Sequence, residues 1–247
     1  CEKLTLRMCD AFVCLTDEER RDWNKYGFNH PLMPVIHSGV EVERFRRPSI
    51  PPFVLKKRLG IGEDDKVVCF IGRLSPVKGA RYLLSAGEIL CKRYPNIVLL
   101  FVGDGEERGE LERMAKEKGI RALFLGSRED VENFYHICDL VAVPSLNEGM
   151  GRVIVEAWSA GRAVVGSDVG GIRELIEDGE TGLLVPPANP LSLSEAIERV
   201  MGDKELAGKM GEKGREKANL FSVSTMMEKT VALYNSLLAR KGIGQNK

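Results

Sequence analysis

The chain has 247 residues, 43% of them hydrophobic, enough for one large domain or two small ones. Lysine plus arginine balances aspartate plus glutamate at 36 each. That argues against nucleic acid as a partner, which calls for a basic excess, but leaves room for a local basic pocket that holds a small phosphate ligand.

In chain order, the sequence opens on Cys1 rather than methionine. CEKLTLRMCDAFVCLT reads as the end of a helix running into a strand, so the chain is expected to be a fragment. DAFVCLT (10–16) has a strand pattern, DEERRDWNKYG a helical one with Gly27 as its stop, and MPVIHSG a second strand pattern. Residues 1–38 are therefore expected to be the trailing remnant of a preceding domain. Residues 39–65, rich in proline and charge, read as a linker.

From Lys66 the pattern changes. Apolar runs KVVCFIG (66–72), NIVLLFVG (96–103), ALFLG (122–126), DLVAVPS (139–145), RAVVGSD (162–168) and TGLLVP (181–186) show little polar alternation, as strands buried on both faces should. Helical patterns lie between them, GARYLLSAGEILCKRY, EERGELERMAKEKG, EDVENFYHIC, GRVIVEAWSAG and GIRELIEDG. Repeated βα units with right-handed crossovers predict an α/β fold, a doubly wound parallel sheet over 66–221. After Pro187 only helices are expected: one starting near Asn189 or Pro190, KELAGKMGEKGREKANL, and a last helix over 222–247 with a serine-rich cap and a frayed tail, GIGQNK.

The six cysteines form no CxxC pair, and the three histidines have no metal-ligand spacing, so idle thiols and no metal are expected. No apolar run reaches the length of a membrane span.

In doubly wound sheets ligands bind beyond the carboxyl ends of the strands. After the first strand, GRLSPVKG places Gly72, which favours close backbone approach, and two cations, Arg73 and Lys78, on one loop. Those cations suit a diphosphate or are plain surface charges. After the second strand, GDGEERGEL offers Gly103 and a helix cap at Asp104 or Gly105. No GxGxxG or Walker pattern occurs. After the fourth strand, NEGMGRVIVEA sets Gly149, Met150 and Gly151 at a helix start, where free N–H groups and the helix dipole favour an anion. Glu148 precedes that helix. Glu156 lies inside it among apolar neighbours, a costly place for a carboxylate without a donor. Sugar hydroxyls are suitable donors; a helix-dipole partner and a surface glutamate are the plainer alternative.

Arg-x4-Lys-Gly followed by Glu-x7-Glu resembles the nucleotide-sugar site of GT-B retaining glycosyltransferases of family 4, the group 1 transferases. HSGVEVERF resembles that family's interdomain phrase, DLVAVPSLNEGMG its PS-x-x-E-G phrase, and GGIRELIEDGETGLLVPP its G-G-x-x-E phrase. The resemblance runs from about Asp10 to about Leu238. It implies a Rossmann-like C-terminal half of the GT-B fold and the transfer of a hexose from a UDP-, GDP- or ADP-sugar, with retention and without a metal cofactor. It implies that Arg73 and Lys78 neutralise the diphosphate and that Glu148 contacts the transferred sugar. Gly149, Met150, Gly151 and Arg152 would offer backbone N–H groups, and Glu156 would hold the ribose. Backbone around Phe124, Leu125, Gly126 and Ser127 would hold the base, and Gly72 and Gly103 would line the cleft.

The family's acceptor site lies in an N-terminal domain that this sequence does not place. The resemblance therefore implies a chain that binds nucleotide without transferring sugar, and a last helix that crosses back to that domain. It also implies a cytoplasmic protein with peripheral contact at the inner membrane face through the missing domain. Two rival readings are a non-catalytic nucleotide-binding module and a sugar-nucleotide epimerase of the same fold. A dehydrogenase is disfavoured by the absent dinucleotide fingerprint.

Overall fold

The computed structural model describes residues 8–242. Six parallel strands form one sheet: β1 (Lys66–Ile71), β2 (Ile97–Val102), β3 (Ala122–Phe124), β4 (Leu140–Val143), β5 (Ala163–Ser167) and β6 (Leu183–Val185). Their spatial order is β3-β2-β1-β4-β5-β6, so the order reverses between β1 and β4. That reversal opens a crevice at the carboxyl ends of those two strands.

Two hydrophobic layers sandwich the sheet, and successive residues of β1 alternate between them. Val67 and Cys69 join one layer, Val68 and Phe70 the other. On the first face lie α6 (Glu132–Ile137) and α7 (Arg152–Ser159), with Tyr135 and Trp158 fully buried. The second face is covered by α4 (Ala80–Leu90), α5 (Arg108–Glu117) and α9 (Pro190–Gly202). All six residues of β2 are buried. Each such Val, Leu, Ile or Phe side chain contributes about 1.5–3 kcal/mol. The Trp158 indole N–H donates to the Thr181 carbonyl at 2.8 Å, so its polar atom is satisfied inside the core.

Capping follows the sequence. Asn189 accepts from the Ser192 N–H with Pro190 in the first turn of α9. Asp203 caps α10 (Lys204–Ala218), and Ser222 caps α11 (Val223–Arg240).

Several segments differ from the sequence reading. DAFVCLT and MPVIHSG are not full strands; they meet at one parallel bridge, Cys14 with Val35, and no third strand extends the pair among the described residues. The segment read as a linker is packed. It forms α2 (Val42–Phe45) and α3 (Pro52–Arg58), and Val40, Val42, Phe45, Leu55 and Ile61 enter the first layer. α5 begins at Arg108, later than the Asp104 or Gly105 cap anticipated, because Asp104 binds the Gly105 N–H and pairs with Arg108 instead. The GIRELIEDG helix, α8, is only Gly170–Leu175.

Between the bridge residues Cys14 and Val35 runs α1 (Asp17–Lys25), capped by Thr16. α11 buries no residue and exposes Met227, Val231, Tyr234 and Leu238 along one side. Cys1 and the tail from residue 243 lie outside the described residues. No helix among the described residues is long and apolar enough to cross a membrane.

Candidate functional site

Lys78 and Glu148 lie 70 residues apart in sequence and meet at the crevice. Lys78 Nζ donates to Glu148 Oε2 at 2.5 Å, and Ser145 Oγ donates to the same oxygen at 3.3 Å. The Glu148 side chain is 15% exposed and that of Lys78 32%. Lys78 closes a 3-10 turn, Pro76–Lys78, that rests on the end of β4. Gly79 permits that contact: it has φ +69°, and a Cβ there would lie 2.1 Å from the Pro144 carbonyl oxygen.

Gly151 caps α7 from the left-handed region, φ 76°, with no side-chain acceptor. In its first turn the Ile154 N–H donates to the Gly151 carbonyl at 2.8 Å, and the N–H groups of Arg152 and Val153 have no intrahelical partner. Gly149 is exposed, with no heavy atom within 4 Å of where a Cβ would stand. Met150 is buried and anchors the loop in the first layer. From the other side α8 presses onto the loop, where the Gly171 N–H donates to the Glu148 carbonyl at 2.9 Å.

Two cavities are formed by the loops that follow the strands, and one of them is lined by Glu148. One, about 410 Å³, is lined by Gly72, Arg73, Gly103, Asp104, Ser127 and Arg128, among others. Arg73 is 75% exposed there, with only a 4.0 Å pair to Glu106. Arg128 is held bidentately by Asp130, at 2.8 and 2.9 Å, over the Phe134 ring. In the neighbouring turn the Leu125 N–H is bonded to Phe101 and the Gly126 carbonyl to Gly103, so these two main-chain groups belong to the sheet. The other cavity, about 310 Å³, lies between α1 and the Asn147–Gly149 loop, with Glu18, Glu19, Asp22, Trp23 and Tyr26 opposite Glu148.

Glu156 sits on α7 in the first layer. Tyr135, fully buried, donates its hydroxyl to Glu156 Oε2 at 2.6 Å. Burial raises the Glu156 carboxyl above its ordinary range, and the Tyr135 bond, then Arg152 and Arg44, oppose that shift. The sequence reading named Glu156 but not its donor. Nor did it find Ser145 or Glu174, whose carboxylate accepts from the N–H groups of Asp17 and Glu18 at 3.0 and 3.2 Å. Tyr135 stands in an apolar helical pattern that reads as core, and only the fold brings it to Glu156.

His37 is bonded to the Leu15 carbonyl and packs on Phe221, away from the Lys78–Glu148 pair in its contacts. No cluster of three or more His, Cys, Asp or Glu that could hold a metal occurs among the described residues.

A six-stranded parallel sheet of this order, with helices on both faces, matches the GT-B glycosyltransferases in fold. The chain belongs to the family Glycosyl transferases group 1, which matches residues 53–217. D-inositol 3-phosphate glycosyltransferase of Corynebacterium glutamicum (strain R) is 32% identical over 255 residues, covering 98% of this chain and 61% of that protein. Alpha-D-kanosaminyltransferase of Streptomyces kanamyceticus is 32% identical over 188 residues, 74% of this chain and 48% of that one. The crystal structure of Anabaena HepE in complex with UDP matches with a TM-score of 0.88 at 28% identity, covering 94% of this chain and 65% of that chain. Its complex with UDP-glucose matches at 0.86, covering 96% and 68%. The chain thus corresponds to part of each relative's length.

Proposed function

We propose that this chain is the donor-binding part of a retaining glycosyltransferase that moves a hexose from a nucleoside-diphosphate sugar. The observation that carries the reading is the Lys78–Glu148 pair beside the open start of α7. On this reading the diphosphate lies against the free N–H groups of Gly149 to Arg152. Lys78 and the exposed Arg73 neutralise the charge that grows on the leaving diphosphate. Diphosphate binding draws Lys78 off Glu148, which then accepts a hydroxyl of the transferred sugar in the cavity under α1. Glu156 receives the ribose hydroxyls.

The base occupies the cavity between Gly72, Gly103 and Ser127. The Leu125 N–H and the Gly126 carbonyl are already spent, and Gly126 is paired with Gly103 in an antiparallel bridge, so the Leu125 carbonyl is the main-chain group offered to it. The HepE complexes with UDP and UDP-glucose favour uridine. Neither glutamate needs to protonate or attack, so the pair differs in role from a hydrolase acid and nucleophile. The chain by itself binds nucleotide and does not complete transfer, since the acceptor site belongs to the remainder of the GT-B fold.

A thermal-shift titration with UDP, GDP and ADP, repeated on Lys78→Ala, tests this. UDP at about 100 times its dissociation constant stabilises by roughly 2.7 kcal/mol, or on the order of 5–10 °C. That shift is expected for UDP and should vanish in the variant. No shift with any nucleotide, or an equal shift in Lys78→Ala, would overturn the assignment.

A further inference from the structure

We propose that Tyr135 is a positioning residue for the nucleotide: its buried hydroxyl holds one oxygen of Glu156 so that the other is presented to the ribose diol. The inference rests on the reading above that Glu156 receives the ribose.

The geometry supplies the argument. Glu156 Oε2 is taken by Tyr135 at 2.6 Å. No donor among the described residues reaches Oε1, and that atom keeps contact with solvent. A carboxylate with one oxygen pinned and one open is an oriented acceptor, suited to vicinal hydroxyls. Tyr135 is itself immobile. It is wholly buried, on α6, and its ring meets Phe45 of α2 edge-on at 5.5 Å between centroids. Phe45 in turn carries a carbonyl bonded to His136 at 2.9 Å. The packed segment α2 thus locks the rotamer of the tyrosine that locks the glutamate, a support the ligand does not touch.

The charged and titratable groups around the pair are Arg152 on α7, Arg44 on α2, and the thiols of Cys69 and Cys138, which face Tyr135. Arg44 is itself paired with Glu132 at 2.9 Å. Burial raises the Glu156 carboxyl, and the Tyr135 hydrogen bond is the foremost influence keeping it down. Loss of the hydroxyl therefore frees the rotamer and favours the neutral acid, and both changes weaken an acceptor of hydroxyl groups.

The test compares UDP with 2′,3′-dideoxy-UDP by isothermal titration calorimetry on the wild-type chain, Tyr135→Phe and Glu156→Gln. Each protein is its own reference, so a general loss of stability does not move the ratio of the two affinities. The wild type should favour UDP by about tenfold or more, the worth of a hydrogen bond to a charged group. In Tyr135→Phe that preference should fall below about threefold at pH 7 and recover in part at higher pH, where the carboxyl is again ionised. A preference retained in full by Tyr135→Phe but lost in Glu156→Gln would overturn the inference and leave the donor-site reading standing. Equal binding of both ligands by the wild type, or no UDP binding at all, would remove the ribose assignment and the inference with it.

Discussion

Gly171→Ala tests how the Glu148–Gly151 loop is held. A methyl group on Gly171 would lie 2.2 Å from the Gly149 carbonyl oxygen, 2.6 Å from the Met150 Cα and 2.8 Å from the Gly149 carbonyl carbon. All three are backbone atoms, so no rotamer change relieves the clash. Ordinary contact begins near 3.4 Å, so α8 or the loop must retreat by about 1 Å, more than a packed interior absorbs without loss. That retreat breaks the 2.9 Å bond from the Gly171 N–H to the Glu148 carbonyl. Overpacking costs about 1–3 kcal/mol and the lost hydrogen bond about 1 kcal/mol. The expected destabilisation is about 2–4 kcal/mol, read as a lower urea midpoint with an unchanged slope, or as a Tm lower by on the order of 10 °C. UDP affinity should fall as well, because Glu148 and the start of α7 shift with the loop. A variant with a wild-type midpoint would show that α8 does not bear on the loop and would refute the reasoning.

Gly149→Ala should do the reverse: the added methyl meets nothing in the free chain, so the urea midpoint stays within about 0.5 kcal/mol while UDP affinity drops at least about tenfold; unchanged calorimetric affinity would move the phosphates elsewhere. Glu156→Gln should raise stability at pH 8. Burial lifts the Glu156 carboxyl in the folded chain, so its contribution is full below the ordinary glutamate range and is lost as pH rises through the raised folded value, whereas the amide stays neutral; a urea midpoint below wild type at pH 8 would contradict this. Glu174→Ala removes the acceptor for the Asp17 and Glu18 N–H groups, and by the usual worth of a cap, about 1 kcal/mol, hydrogen exchange across α1 should quicken about fivefold while the sheet is unaffected; unchanged exchange in α1 would show that the contact does not hold the helix.

The strands were legible in the sequence because burial on both faces forbids polar residues, leaving runs such as IVLLFV in β2 with no other reading. That parallel strands put ligands at their carboxyl ends directed the reading to the loops carrying Lys78 and Glu148, and the resemblance to the group 1 transferases then supplied their expected roles. That the segment 39–65, read as a linker, is packed was hidden for the opposite reason. Its prolines and charges suit a linker, and its five buried side chains are scattered singly between them. Such residues gain from burial only when α6 and α7 already offer a surface, a condition no local pattern records. Tyr135 was hidden in the same way, as was Ser145, buried at the end of β4. Tyr135 makes its polar contact across to another helix, Ser145 one three residues along its own loop, and both stand where their neighbours read as core.

The phrase GGIRE illustrates what a strong motif encodes. Its second glycine admits the backbone of Gly149 and Met150, its Gly171 N–H fixes the Glu148 carbonyl, and its glutamate fastens α1. These are mechanical duties, set by main-chain approach and by the end of a helix, and they are the same whatever sugar is carried. On the proposed reading the phosphates also meet main-chain groups and two cations, which do not distinguish one hexose from another. Beyond the one hydroxyl that Glu148 would accept, discrimination between sugars then falls to side chains outside the motifs. Those opposite Glu148 belong to α1, where Trp23 and Tyr26 offer apolar faces and Glu18, Glu19 and Asp22 offer acceptors. Because Glu174 sets where α1 stands, the motif would govern sugar choice only by placing the residues that make it.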